Sequence, residues 1–354
     1  MSSIMWKYID QEPQVLAGIL QDTAMDKALD ALGPGLEAIY FVAHGSSYKA
    51  ATAAASFIGR QSGLRTYAYT PANFLYNCQA LAQEERAKAL VVAISQTGTS
   101  RGVIQALERA KEMGFETLGL TDVAGSPIHV KSDTTIFLGC GEEDSNAKTK
   151  GYSATLLQLL RLGIKLGLGR KVISQGQYQG VCNELQGQIE ALAGLRDKIL
   201  AWCQAGDLAG RVKDLYVLGY GMNFGTAMEG QLKLMETMCM PTMFNDLEEF
   251  SHGMHRAIQG DSTVLLLRTP HTLSPLALDT YRYLQGKAGR VLLIDATGEA
   301  PEGALNLPWY PETESLLLIT LAIQILSVWL PEQNGLDPNR DANNDYTDCV
   351  HTRI

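Results

Sequence analysis

The 354-residue chain lacks the features that mark a nucleic-acid, metal or membrane protein. Its formal net charge is −9 and its lysines and arginines are scattered, so the clustered basic surface that a nucleic-acid backbone demands is missing. A small phosphate ester is still allowed, because only the local field of its site matters. The six cysteines stand at 78, 140, 182, 203, 239 and 349, with no CxxC pair and no zinc-ligand spacing. They are expected to be reduced core residues, and neither a metal nor another cofactor is expected. Residues 1–10 carry Lys7 and Asp10 and have no apolar stretch of the secretory type, which leads to the expectation of a cytoplasmic protein. One apolar run, Leu316 to Leu330, falls short of the roughly 18 residues of a membrane span and is interrupted by Gln324. It is expected to be a buried helix, in the core or at a subunit interface, in a protein with no membrane partner.

What the chain does have is the balance of a globular protein, with 46% hydrophobic and 19% charged residues. Its length suggests two domains of roughly 100 to 200 residues each. Beyond a helical leader, Glu37 to Val42 is a short apolar run that stops at His44-Gly45-Ser46-Ser47 and gives way to an Ala-rich helix over Lys49 to Ile58. The pattern returns at Ala89 to Ile94, which ends in Ser95-Gln96-Thr97-Gly98-Thr99-Ser100. A helix follows, carrying Val103, Ile104, Leu107, Ala110 and Met113 and closed by Gly114. Thr117 to Leu120 and Thr135 to Leu138 read as further strands. Alternating strands and helices imply a parallel sheet covered on both faces.

Residues 171–205 are mostly helical, and Asp214 to Leu218 then opens a second unit. Ile39-Tyr-Phe-Val-Ala-His-Gly45 lies over Leu215-Tyr-Val-Leu-Gly-Tyr-Gly221 without a gap, which indicates an internal duplication. In the second copy the strand Thr263 to Leu267 runs into Arg268-Thr269-Pro270 rather than a Ser-rich loop, so only the first copy is expected to hold an anion.

In an open parallel sheet, ligands bind beyond the carboxyl ends of the strands, where both Ser-rich loops of the first unit fall. The second of these loops precedes a helix whose first N–H groups and dipole favour an anion, and Ser95, Thr97, Thr99 and Ser100 add hydroxyl donors. Alone, such a loop is as readily a helix cap and a polar turn. The Gly45-Ser46-Ser47 loop one strand away favours a phosphate pocket that needs no lysine.

Glu229, Lys233 and Glu236 are spaced by four and three residues, so they share one helix face. Such a stripe is ordinarily a solvated set of ion pairs. Here Ala227, Met228, Leu232, Leu234 and Met235 make the rest of the helix apolar, and a charged stripe on a buried helix calls for a ligand or a partner. Farther on, His252 and His255 have no third ligand at metal spacing, so no metal is expected there.

At these residues the chain resembles the SIS (sugar isomerase) family, in particular the isomerase half of glucosamine-6-phosphate synthase, with no glutaminase domain attached. The resemblance runs from about residue 35 to the end. The family's Gly-Thr-Ser loop appears as Gly45-Ser46-Ser47, its Ser-Gln-Ser-Gly-Glu-Thr loop as Ser95 to Ser100, and its Val-Ala-Ser-Thr-Lys segment as Asn146-Ala-Lys-Thr-Lys150. Its acidic helix corresponds to Glu229–Glu236 and its His-Gly segment to Glu249-Phe-Ser-His252-Gly253. The resemblance implies two SIS domains, each a three-layer αβα sandwich with a mainly parallel sheet. The parts would be a leader at 1–34, a first domain at 35–170, a helical linker at 171–205, a second domain at 206–335 and a tail over the active site at 336–354. It implies that Gly45, Ser46, Ser47, Ser95, Gln96, Thr97 and Ser100, with Asn146 and Lys150, hold a sugar 6-phosphate. Glu236 would move a proton between C1 and C2, Lys233 and Glu229 would support it, and His252 would open the ring or act as acid from a neighbouring subunit of a homodimer or larger homo-oligomer.

One departure bears on the substrate. The synthase tail carries an imine-forming lysine, whereas residues 336–354 here contain Asn343 and Asn344 and no lysine. That makes the chain more similar to the catabolic deglycases that split fructoselysine 6-phosphate or glucoselysine 6-phosphate. An isomerase or deaminase of a hexosamine 6-phosphate and a non-catalytic sugar-phosphate sensor are the other readings.

Overall fold

Ten strands form two sheets in the computed structural model, which describes residues 3–30, 32, 35–206 and 212–354. The first sheet consists of Ala38–Ala43 (β1), Arg65–Tyr69 (β2), Ala89–Ile94 (β3), Glu116–Thr121 (β4) and Thr134–Phe137 (β5), in the order β2-β1-β3-β4-β5. The second consists of Leu215–Gly219 (β6), Thr242–Asp246 (β7), Thr263–Arg268 (β8), Arg290–Asp295 (β9) and Leu305–Asn306 (β10), in the order β7-β6-β8-β9-β10. Every pairing is parallel, with Ala38 opposite both Arg65 and Ala89 in one sheet and Leu215 opposite both Thr242 and Thr263 in the other. Counted from its own first strand, each sheet therefore has the order 2-1-3-4-5. The α/β architecture is thus two five-stranded parallel sheets flanked by helices, built on one repeated topology.

The chain divides into two compact units that each draw on separated segments. One comprises Met1–Pro13, Asp144–Lys150 and Glu184–Arg340 and contains the second sheet; the other comprises Gln14–Glu143, Gly151–Asn183 and Asp341–Ile354 and contains the first. The leader boundary at residue 34 and residues 207–211 at the start of the second expected domain lie outside the described residues.

In the unit with the first sheet, β1 and β3 are buried along their whole length, as central strands of a parallel sheet must be. Tyr40, Val42 and Val91 face Phe74, Leu81, Ala106, Ala110 and Phe115. The helix Arg101–Glu112 follows β3 and stops where expected. Gly114 takes a left-handed φ of 83°, its N–H bonds to the Lys111 carbonyl, and the N–H of Phe115 reaches the Ala110 carbonyl, which together satisfy the helix's last acceptors.

In the other unit, the helix Leu316–Gln333 is long and apolar enough to cross a bilayer, but residues 316–331 are all buried by protein, making it a core helix. It packs on the helix Asn223–Met238, where Ile323 lies against Gly230. Its interrupting Gln324 is accommodated because Nε2 donates to Glu12 Oε1 (2.9 Å) and to the Thr149 carbonyl (3.1 Å).

Candidate active site

The strand order changes direction between β1 and β3, and the loops leaving these two strands are the two Ser-rich segments. After β3 the chain turns at Gly98, whose φ is +68° and whose amide donates to the Ser95 carbonyl at 3.0 Å. A Cβ at Gly98 would lie 2.1 Å from Ser126 Oγ, so the position requires glycine on both counts. The turn gathers the hydroxyls in pairs: buried Ser95 donates to Ser100 Oγ at 3.1 Å, and Thr97 and Thr99 share a 3.0 Å hydrogen bond. Ser100 is the N-cap of the Arg101–Glu112 helix, yet its side chain makes no capping bond. Its hydroxyl is turned into the loop instead, which weighs against a simple cap, although the first helix amide, that of Arg101, is taken by the Thr352 carbonyl.

Gln96 is held by the neighbouring strand ends. Its carbonyl accepts from the amide of Asp122 (2.9 Å) and the hydroxyl of Thr121 (3.2 Å), and its Nε2 approaches Cys140 Sγ (3.3 Å), which itself donates to Asp122 (3.1 Å). Gly45, Ser46 and Ser47 form the first turn of the helix Gly45–Ser62, with His44 as its N-cap. His44 and Lys49 were not singled out by the spacing argument. A Cβ on Gly102 would meet His44 Nε2 at 3.0 Å, which places the imidazole at the start of the helix after β3, and Lys49 Nζ turns back to the Gly45 carbonyl at 3.5 Å. Partial burial, then the Lys49 ammonium, lower the His44 pKa from its ordinary 6.5, so the ring is neutral at neutral pH. Its position as the residue just before Gly45 was the signal that could have found it.

Tail residues of the same unit lie along this loop. The Thr352 carbonyl accepts from the Arg101 amide (3.1 Å), the Ile354 amide donates to the Thr99 carbonyl (3.1 Å), and Ser100 pairs with Arg353 as an antiparallel bridge.

In the other unit, the helix Asn223–Met238 carries the expected acidic stripe. Lys233 is fully buried and its Nζ lies 2.9 Å from Glu236 Oε2 and 3.4 Å from Glu229 Oε1. Glu229 is buried with it, while the Glu236 side chain keeps 34% of its exposure, so of the two carboxylates Glu236 is the one open to a small molecule. The end of this helix is held by Arg340, which donates to the carbonyls of Thr237 (2.8 Å) and Met238 (2.7 Å). Asn146 is tied to the same segment through the side chain of Asn339 and the carbonyls of Asn339 and Arg340. Lys150 is buried, with Nζ on Gln11 (3.0 Å) and over the Tyr8 ring (5.0 Å), so its charge is spent inside its own unit. His252 sits exposed on the turn after the helix Leu247–Phe250, and its ring makes no hydrogen bond among the described residues. No group of three His, Cys, Asp or Glu able to hold a metal ion occurs among the described residues.

The counterpart strand ends of the second sheet are filled by the chain itself. At the end of β8, buried Arg268 donates to buried Asp295 (2.7 Å), Thr297 (3.1 Å) and Ser274. After β6, the Glu314 carboxylate accepts from the Met222 amide (3.0 Å) at the start of the 223–238 helix. An internal carboxylate thus occupies the helix start after β6, and the end of β8 is closed by the Arg268–Asp295 ion pair.

The hydroxyl-rich loop thus lies at the switch point of an open parallel sheet, the place where such sheets hold their ligands. Residues 37–164 match the SIS domain family. The chain is 27% identical over 361 aligned residues to the isomerizing glutamine–fructose-6-phosphate aminotransferase of Shouchella clausii, an alignment that takes in 96% of the chain and 57% of that protein. The chain therefore spans little more than half the length of the curated relatives it matches. In structure it is similar to the C-terminal domain of glucosamine-fructose-6-phosphate aminotransferase from Francisella tularensis (TM-score 0.85, 18% identity, 96% of this chain and 98% of that one). It is also similar to glucosamine-6-phosphate deaminase from Thermotoga maritima (TM-score 0.79, 20% identity, 96% and 98%). At these identities the two structures speak for the fold.

Proposed function

We propose that the chain is a phosphosugar-converting enzyme that holds the 6-phosphate of an open-chain sugar at Ser95–Ser100 and Gly45–Ser47 and moves a proton between C1 and C2 with Glu236. The observation that carries this reading is the hydroxyl loop itself: its N-cap side chain is turned into the loop rather than onto the helix, while in the second sheet the start of the helix after β6 is taken by the Glu314 carboxylate. A phosphate bound there neutralises the helix start without a lysine, and neutral His44 and Lys49 stand beside it as further donors.

The particular reaction we favour is deglycation of a 6-phosphorylated sugar–amino acid adduct. On a ketosamine such as fructoselysine 6-phosphate, Glu236 removes a proton from C1 to give an enaminol and returns it to C2, leaving an imine at C1. Water adds to that carbon, the C–N bond breaks, and an aldose 6-phosphate and the free amine leave. Lys233, held between Glu229 and Glu236, offsets one of the two carboxylate charges and fixes the base. In this reading His252, exposed on its turn, acts from a partner subunit of a homodimer. The absence of lysine from residues 336–354 supports this reading over transfer of ammonia to a ketose.

The second reading, isomerisation or deamination of a hexosamine 6-phosphate, is favoured by the deaminase among the structural relatives. The two part in one experiment. Incubated with fructoselysine 6-phosphate or glucoselysine 6-phosphate, the protein is expected to release lysine and hexose 6-phosphate in equal amounts, and with glucosamine 6-phosphate to release little ammonia. Ready ammonia release with no adduct cleaved overturns the deglycase.

A further inference from the structure

We propose that the unit containing the first sheet has a second ligand site, a cavity at Arg161 that takes the carboxylate of a small molecule of about amino-acid size. Arg161 lies in the middle of the helix Lys150–Gly169 and is only 2% exposed. It has no ion pair among the described residues. Its Nη1 donates to Gln158 Oε1 (2.8 Å) and its Nη2 to the backbone carbonyl of Asp22. Of the guanidinium's five N–H donors, these bonds use two. Burial lowers the Arg161 pKa, and the nearby charges of Asp22 and Asp26, neither in contact with the guanidinium, oppose that shift only in part.

The space beside it is a cavity of about 230 Å³ lined by Arg161, Lys165, Asp22, Asp26, Tyr178 and Cys182, among others. Lys165 cannot be the attraction for an anion, because it is already paired with Asp26 and sits over the Tyr178 ring at 5.9 Å. Asp22 does not compensate Arg161 by contact: its Oδ1 accepts the Ala24 amide at 2.9 Å, and its side chain lies at the exposed rim. Two cations and two carboxylates line the cavity, so its sum of charge is zero and a doubly charged phosphate gains little there. A singly charged carboxylate suits the three N–H donors of Arg161 that its bonds to Gln158 and the Asp22 carbonyl leave unused, and a neighbouring ammonium on the same molecule matches Asp22. Simple carboxylic acids and amino acids share that chemistry. None of these residues belongs to the Ser95–Ser100 loop, so the inference stands apart from the proposed reaction.

The test measures thermal stabilisation of the full chain by acetate, glycine and inorganic phosphate at constant ionic strength. Acetate and glycine are expected to stabilise saturably, and Arg161→Gln to weaken both by at least about tenfold, the loss of one buried charge-assisted contact. Ser95→Ala is expected to leave them unchanged while it removes the effect of phosphate. Glycine binding more tightly than acetate identifies an amino acid as the source of the carboxylate; equal affinity identifies a simple acid. Should Arg161→Gln not fold, the wild type still decides. Cys182 lines the cavity, so acetate or glycine should slow its alkylation by iodoacetamide several-fold relative to Cys239, read by peptide mass spectrometry. No saturable carboxylate effect, stabilisation that survives Arg161→Gln, or an unchanged Cys182 rate overturns the site.

Discussion

Gly98 stands so close to Ser126 that a single added methyl group would lie 2.1 Å from the serine oxygen. The same residue holds the left-handed turn that brings Ser95 to Ser100. Gly98→Ala should therefore cost roughly 1–3 kcal/mol in stability, from the backbone conformation and the clash together, and abolish phosphate-dependent stabilisation. Denaturant unfolding with and without phosphate checks both; an unchanged phosphate effect removes the loop from the site.

Ser95 and Ser251 provide a matched pair of hydroxyl deletions. Ser95 is buried in the loop, whereas Ser251 is exposed and donates to the Glu248 carbonyl at 2.6 Å. Ser95→Ala is expected to weaken sugar-phosphate binding about tenfold or more, and Ser251→Ala to leave it unchanged. Calorimetric titration with a hexose 6-phosphate separates the two, and equal effects would count against the pocket.

Glu236→Gln keeps size and hydrogen bonding but cannot accept a proton. Turnover on the adduct is expected to fall by a factor on the order of 10² to 10⁴ while binding is retained. Full activity on any substrate would withdraw Glu236 from the reaction.

Lys233 and Glu229 make a buried ion pair that can be taken apart in two ways. Lys233→Met removes the cation beside Glu229 and should cost about 3–5 kcal/mol. Adding Glu229→Gln should restore much of that stability, since the buried carboxylate goes with its partner. Urea unfolding of the single and double variants is the measurement, and additive losses would mean that the pair does not act as a unit.

His44 gives a pH signature. Its folded pKa lies below the ordinary 6.5, so as pH falls below that value the unfolded chain takes up the proton first and stability drops, continuing until the folded pKa is passed. Above about pH 6.5 the contribution is fully present. His44→Gln should flatten this part of the stability–pH curve. A curve of the same slope in both proteins would place the titration elsewhere.

Central strands were the legible part of the fold. Ala89–Ile94 and the middle of Thr263–Arg268 (Val264 to Leu267) are continuous apolar runs because both faces of a parallel sheet are covered, and the ungapped match of residues 39–45 with 215–221 anticipated the repeated strand order. The edge strand Arg65–Tyr69 is partly exposed along its length and carries no such run, so nothing in its composition marked it. The 316–330 run had two readings open, and the packing of its full girth inside one unit selected the core helix.

Local order in the chain determined which residues share a loop or a helix face: the hydroxyls of 95–100, and Glu229, Lys233 and Glu236 at spacings of four and three. Tertiary structure alone decided which of these groups is available. It left Glu236 open and buried Glu229, used the charge of Lys150 on Gln11 and Tyr8, and set His44 against the start of the helix after β3. It also set Glu314 on the start of the helix after β6, and enclosed Arg161 with no ion pair by contact among the described residues. Helical and strand periodicity are short-range properties written in spacing, whereas burial and charge pairing depend on neighbours that can be more than a hundred residues away in the chain, as Gln11 is from Lys150 and Asp22 from Arg161.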